Sequence, residues 1–113
     1  MADKLTEALS LFVELCPHVV STYDSVTKVR IELKNGFALE IYLRETIAQY
    51  SYTLLRADQR LVGWDNAPHH PDLPNAPHHM HNEDGTIESS PLTGDQTQDI
   101  RIVAEWVNSF FAS

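Results

Sequence analysis

Histidine is concentrated in one stretch of the chain, WDNAPHHPDLPNAPHHMHN at residues 64–82. Five of the six histidines lie there, and the pentapeptide Asn-Ala-Pro-His-His occurs at 66–70 and again at 75–79. Imidazole changes its charge near neutral pH and so can take up and release protons, and its nitrogens also bind transition metals. The composition of this stretch therefore indicates acid–base catalysis or metal binding.

The spacing within the stretch predicts which imidazoles can act together. In an extended chain, neighbouring side chains point to opposite sides, and side chains two residues apart point to the same side. His79 and His81 are therefore expected to project together, with His78 pointing away from them. His69 and His70 diverge from each other in the same way. We expect the second unit to form the reacting centre and the first to fold back and complete it.

One interpretation is acid–base catalysis without a metal. Two imidazoles in different protonation states can take a proton from an RNA 2′-hydroxyl and return one to the leaving 5′-oxygen. His79 and His81 are the expected proton-transfer pair, and a cation would stabilise the phosphorane. The supporting histidines would be His69, His70 and His78, and the candidate cations are Arg30, Arg44, Arg56 and Arg60.

A second interpretation is a metal site. Zinc or another divalent ion would be bound by His79, His81 and either His70 or His69, and Asp65 could complete the set of ligands. A third interpretation is structural, with the histidines packed on a sheet face and hydrogen-bonded to backbone. The density of histidines favours the two functional interpretations, with the metal-free one slightly ahead.

Several other residues near the stretch or on the helices have expected structural roles. Asn66 and Asn75 precede the two Ala-Pro-His-His units, and their side chains are expected to close turns against their own backbone. Trp64 and Cys16 are expected in the core. Trp106, with Ile102, lies off the main apolar stripe and marks a candidate surface for a homo-oligomer.

Two segments near the ends of the chain have the helical spacing of apolar residues. The first helix is predicted over 3–16, with Asp3 as its N-cap. The second is predicted over 94–112, where Thr93 and Gln96 have the spacing of a capping box. Each helix would present one apolar face to a sheet.

Four runs between the helices are predicted to be strands, because they alternate apolar and polar residues or are rich in β-formers. They cover residues 26–34, 37–44, 47–56 and 60–64. Asn35-Gly36 joins the first two and is a strong hairpin signal. The histidine stretch, with its prolines, and the polar residues 82–94 are predicted to be loop and turn. The predicted fold is a single-domain, two-layer α+β sandwich, α-β-β-β-β-loop-α, with an antiparallel four-stranded meander.

The predicted outer face of the sheet carries several cations. Lys28, Arg30, Lys34 and Arg44 alternate with the apolar residues of the first two strands. They would form a local basic patch if the strand registers agree. The favoured interpretation is that they are ordinary solvated positions of a half-exposed sheet.

The composition excludes several classes of protein. A chain of 113 residues with 42% hydrophobic content fits one folded domain. Its net charge of −8 argues against a broad nucleic-acid-binding surface and is compatible with a basic protein partner. A single cysteine, no secretory signal and no membrane-spanning run predict a cytoplasmic protein without disulfides. No Gly-rich phosphate loop is present.

The histidine pattern resembles that of a known family. W-D-N-A-P-H-H-P…P-H-H-x-H, after a strand-rich half and before a polar turn and a final helix, is similar to the TumE family of small proteins. The resemblance spans most of the chain. The family often has a bulky hydrophobe where this chain has Ala76, a departure that affects packing more than chemistry. The matching positions are Asp65, Asn66, His69, His70, His78, His79 and His81.

TumE proteins are toxins of toxin–antitoxin modules, typically encoded beside a helix-turn-helix antitoxin. The resemblance therefore implies a bacterial or archaeal toxin that acts on RNA, with such an antitoxin as its partner. We expect an endoribonuclease that uses clustered histidines to cleave phosphodiesters. The alternative is a non-enzymatic metal-binding or regulatory protein-interaction module. The one cofactor that the histidines suggest is a divalent metal such as zinc.

Overall fold

The computed structural model describes residues 3–113, which contain two α-helices and seven strands. The helices are α1 (Lys4–Leu15) and α2 (Gln96–Ala112). The strands are β1 (Val19–Asp24), β2 (Lys28–Leu33), β3 (Phe37–Arg44), β4 (Gln49–Arg56), β5 (Gln59–Asp65), β6 (His79–His81) and β7 (Ile87–Ser89). They form one antiparallel sheet in chain order. The α+β meander between two helices is confirmed, whereas the predicted number of four strands is wrong.

Three strands were not predicted because each lacks a readable pattern. β1 is an edge strand whose residues are mostly exposed, so it shows no alternation of apolar and polar positions. β6 and β7 have three residues each, too few to display a period. The prediction that all of 64–82 is a loop is therefore wrong at β6, which pairs with both β5 and β7.

The predicted turn between β2 and β3 forms because two residues accept positive φ. Asn35 and Gly36 have φ values of 64° and 80°. The next strands, β4 and β5, are also joined by two residues at positive φ, Ala57 and Asp58. Such turns match the twist of adjacent antiparallel strands. The register shifts once, between Leu54 and Leu55 of β4 where it pairs with β5.

The helix starts are fixed by aspartates. Asp3 caps α1 as predicted, accepting a hydrogen bond from the backbone N–H of Thr6 at 2.8 Å. The predicted capping box at α2 is wrong. Asp95 is the N-cap of α2, and the residue before it, Gly94, turns the chain at φ 92°. Thr93 instead donates from its backbone N–H to the buried carboxylate of Asp99 at 2.9 Å.

The core lies between the helices and one face of the sheet. It includes Phe12, Ile31, Leu39, Leu54, Trp64, Ile100 and Val103, with Cys16 at the end of α1. Trp64 and Cys16 are buried as predicted. No helix within residues 3–113 is both long and apolar enough to cross a membrane. The opposite, outer face of the sheet faces solvent and the loop 66–78, and the candidate site lies on it.

The cations of the outer face do not form a free basic patch. Arg30 binds the carboxylates of Glu32, Glu40 and Asp58 at 2.7, 3.1 and 3.1 Å. Lys28 lies 3.2 Å from Glu40. This part of the sheet is therefore a balanced network of charges, in agreement with the favoured interpretation that its cations are ordinary surface positions.

Candidate functional site

Three side chains are brought together by the pairing of β5 with β6. His79 and His81 share one face of β6, as predicted, while Met80 between them pairs with Trp64 towards the core. Asp65, the last residue of β5, is paired with His79 and lies on the same outer face. The register of these two strands thus positions two imidazoles and a carboxylate, which we call the His–Asp centre (Asp65, His79 and His81).

The polar atoms of the centre point at one another. The Nε2 atoms of His79 and His81 are 3.1 Å apart. His79 Nε2 lies 3.0 Å from Asp65 Oδ1, and His81 Nε2 lies 3.1 Å from Asp65 Oδ2. The two rings are inclined at 68°, with centroids 4.9 Å apart, so the nitrogens are the points of closest approach.

Backbone groups hold the centre in this orientation. His79 Nδ1 lies 2.9 Å from the carbonyl oxygen of Pro77, and because a carbonyl only accepts, Nδ1 carries the donated proton. The other nitrogen of this ring, Nε2, is thereby directed at the centre. Asp65 Oδ1 accepts a hydrogen bond from the backbone N–H of Ala67 at 2.9 Å. Two of the three groups are therefore fixed by backbone contacts.

The centre is partly open to solvent. The side chain of His79 is 2% exposed, against 18% for His81 and 23% for Asp65. Burial lowers the pKa of His81, and the charges of Arg60 and His79 act in the same direction, while Asp65 opposes them. His81 therefore favours the neutral form at physiological pH. The exposed part of its ring is accessible to a substrate.

The loop that carries the first His-His unit folds back onto the centre, as predicted, and contributes His70. The ring of His70 packs edge-on against His79, with centroids 4.8 Å apart, and lies 6.3 Å from that of His81. His69 points outward and is exposed. Asp65, rather than either histidine of the first unit, supplies the third of the converging ligand atoms. The loop also encloses a cavity of about 210 Å³ beside His70.

His78 lies apart from the centre, on the other side of the strand. Its Nδ1 is 2.7 Å from the hydroxyl of Tyr50, and the two rings are stacked with centroids 5.8 Å apart. Burial raises the pKa of Tyr50, so its hydroxyl stays protonated, and the direction of its hydrogen bond with His78 is set by the tautomer of the ring. These contacts give His78 a structural role in attaching the loop to β4.

The two asparagines of the repeat tie the loop to distant backbone, and their expected local role is wrong. Asn66 accepts from the N–H of Tyr50 at 3.0 Å and donates to the carbonyl of Ala48 at 2.7 Å. Asn75 donates to the carbonyls of Ser90 and Leu92 at 2.6 and 3.0 Å. The repeated asparagine thus anchors one limb of the loop to the start of β4 and the other to the segment that follows β7.

Arg60 is a cation that lies close to the centre. It lies on β5, where its side chain crosses Gly63, the residue paired with His81; a Cβ at Gly63 would lie 3.3 Å from Arg60 Cδ. No ion pair among residues 3–113 involves Arg60. The side chain of Arg60 can lie across Gly63 because glycine has no side chain. The alternation of apolar and polar residues in the sequence did not reveal this contact.

Two of the four candidate cations, Arg30 and Arg44, lie in other parts of the sheet. Arg30 is four strands away from His81, roughly 19 Å at about 4.8 Å per strand, and is neutralised by three carboxylates. At that distance Arg30 does not contact a group bound at the centre. Arg44, at the end of β3, lines a small pocket with Lys4 and Gln96.

These features define a two-layer α+β protein with an imidazole–carboxylate centre on the outer face of its sheet. The family model "Toxin TumE" matches residues 8–110, nearly the whole chain. The chain therefore belongs to the TumE toxin family and is the toxin of a toxin–antitoxin module, with an antitoxin as its partner. No curated protein and no solved structure matched the chain significantly.

Proposed function

We propose that this toxin is an endoribonuclease whose reaction takes place at the His–Asp centre. The observation that carries the proposal is the convergence of two imidazoles and a carboxylate at a solvent-accessible point beside Arg60, which has no ion-pair partner within residues 3–113. Buried structural histidines are usually satisfied singly by backbone or hydroxyl groups, as His78 is here. Three converging groups at an open position instead support a catalytic role.

The proposed reaction is transesterification within the RNA strand. The 2′-oxygen attacks phosphorus, and the P–O2′ bond forms as the P–O5′ bond breaks. The 2′-hydroxyl proton passes to the His–Asp centre, and the leaving 5′-oxygen takes a proton from His70, our candidate acid because it packs on His79 at the rim. Arg60 would stabilise the negative charge of the phosphorane. The products are a 2′,3′-cyclic phosphate and a 5′-hydroxyl.

Cleavage of RNA by the purified toxin tests the proposal. We expect His81→Asn and His79→Asn each to lower the rate by about 10²–10⁴-fold, because each removes a group that moves or stabilises the proton. His18→Asn is the matched control, since His18 stacks on Phe111 away from the centre. A substrate with a 2′-deoxyribose at the cleaved position should resist. Cleavage by His81→Asn at the wild-type rate would show that the reaction occurs elsewhere.

We propose further that the antitoxin is a basic helix-turn-helix protein. The net charge of −8 on the toxin supports this, because an acidic surface attracts a DNA-binding protein electrostatically. Association of the purified pair should therefore slow markedly as salt is raised. An association rate that does not change with salt would contradict a charge-based partnership.

A further inference from the structure

The close contacts within the His–Asp centre are inconsistent with any simple arrangement of protons. Three contacts of 3.0–3.1 Å join Asp65 Oδ1, Asp65 Oδ2 and the two Nε2 atoms. Each Nε2 presents a single site, which is either an N–H or a lone pair. If both carry protons and donate to Asp65, two donors face each other across the 3.1 Å N–N contact. If only one carries a proton, a lone pair of the other faces the carboxylate.

A divalent cation satisfies all the contacts at once, because it accepts a lone pair from each of the three groups. We propose that the His–Asp centre binds a divalent first-row transition-metal ion through His79 Nε2, His81 Nε2 and the carboxylate of Asp65. Imidazole nitrogen and carboxylate oxygen are ordinary ligands of such ions. This inference concerns the same centre as the proposed function and states what occupies it.

The distances fit such an ion. With bonds of about 2.0–2.2 Å, ligand atoms separated by 3.0–3.1 Å subtend angles of about 90–100° at the metal. The three ligands then occupy one face of the ion, and the opposite face is left for water or substrate. That open face is typical of catalytic rather than structural metal sites.

The supporting contacts are also those of a metal site. A metal-binding histidine commonly donates its second ring N–H to a carbonyl or carboxylate, which directs the remaining lone pair at the ion. His79 does so to the carbonyl oxygen of Pro77 at 2.9 Å. Asp65 is held by the N–H of Ala67 at 2.9 Å. Because β5 and β6 supply all three ligands by their register, the site is formed before any ion arrives.

A bound ion would change one step of the proposed reaction, the removal of the proton from the RNA 2′-hydroxyl. Water on a divalent metal loses its proton far more readily than bulk water, and the resulting hydroxide can accept the proton of the RNA 2′-hydroxyl. The centre would then act through its metal-bound water rather than through a free imidazole nitrogen. Arg60, whose side chain lies beside Gly63 opposite His81, would still supply positive charge for the phosphate.

Binding of Co²⁺ and Zn²⁺ to the chelator-treated full-length toxin tests this inference without RNA. We expect one ion per chain, visible d–d absorption with Co²⁺, and displacement of Co²⁺ by Zn²⁺. His79→Asn, His81→Asn and Asp65→Asn should each weaken binding at least about 100-fold, because each removes a ligand. His18→Asn should bind as the wild type does, and thermal unfolding without metal checks that each variant folds.

The outcomes separate this inference from the proposed function. Equal binding by the wild type and His81→Asn would assign the metal to other histidines and overturn the inference. RNA cleavage that persists in excess chelator, with no stoichiometric binding, would also overturn it while the ribonuclease stands. Stoichiometric binding lost in His81→Asn, by a protein that cleaves no RNA, would sustain the metal site and refute the ribonuclease.

Discussion

Asp65 is the residue that joins the imidazoles of His79 and His81 in one centre. Its two carboxylate oxygens contact different histidines, at 3.0 and 3.1 Å, and hold both Nε2 atoms at the same point. The sequence indicated Asp65 only as a supporting acid, because it lies 14 and 16 positions before the histidines it meets. The structure also separates two neighbours in the sequence. His70 packs on the centre, whereas His69 is exposed.

Because His70 contacts the centre and His69 does not, replacing each of them separately tests the site. His70→Ala removes the candidate acid, and we expect the rate of RNA cleavage to fall by about 10²–10⁴-fold. His69→Ala removes an exposed imidazole from the same loop and should leave the rate unchanged. Single-turnover cleavage measures both. A larger loss in His69→Ala than in His70→Ala would mean that the loop adopts another arrangement when substrate binds.

At the level of elements, the start of α2 depends on a buried carboxylate that the helix itself supplies. Asp99 accepts hydrogen bonds from the backbone N–H of Thr93, the hydroxyl of Thr93 and the N–H of Gly94, at 2.9, 3.0 and 2.8 Å. Its side chain is fully buried. These bonds fix the segment between β7 and α2. They therefore help to position α2 on the core side of β5 and β6.

Removing that carboxylate should destabilise the fold. We expect Asp99→Ala to cost about 3 kcal/mol of unfolding free energy, because it removes the common acceptor of three hydrogen bonds worth about 1 kcal/mol each. Asp95→Ala, at the exposed N-cap of the same helix, should cost clearly less. Urea unfolding compares the two variants. An equal or smaller cost for Asp99→Ala would show that water can replace the buried acceptor.

The elements that sequence alone revealed are those with a repeated pattern. Both helices, the strands from β2 to β5 and the turn at Asn35-Gly36 were predicted within a few residues. β1, β6 and β7 were missed because an exposed edge and three-residue strands have no period. The common face of His79 and His81 was predicted from chain geometry, whereas the positions of Asp65 and Arg60 depend on cross-strand register, which a single sequence does not specify.

At the level of the whole molecule, charge and shape both differ from those of a general RNA-binding protein. The net charge is −8, and Arg30 is neutralised within the sheet. A cleft of about 590 Å³ lies on the helix side of β5 and β6 and is lined mainly by apolar groups, including Trp64, Met80 and Trp106. RNA is therefore expected to meet the toxin at a small area around Arg60 rather than along a broad groove.

A small electrostatic footprint predicts a weak dependence of RNA binding on salt. Each phosphate contact on a single strand contributes about −0.7 to the slope of log K against log salt, so one or two contacts give about −0.7 to −1.4. Fluorescence anisotropy with a short RNA and the His81→Asn variant measures this slope. Arg60→Gln should flatten it further, whereas Arg30→Gln should not. A slope steeper than about −3 would reveal a basic surface that the fold does not display.

The most direct test of the account is growth arrest by the toxin in cells without its antitoxin. If toxicity resides in the His–Asp centre, cells that express Asp65→Asn or His81→Asn should grow like cells with an empty vector. Cells that express the wild type or His18→Asn at the same protein level should stop growing. Arrest by His81→Asn equal to that of the wild type, at matched expression, would contradict the claim that this centre is the toxic site.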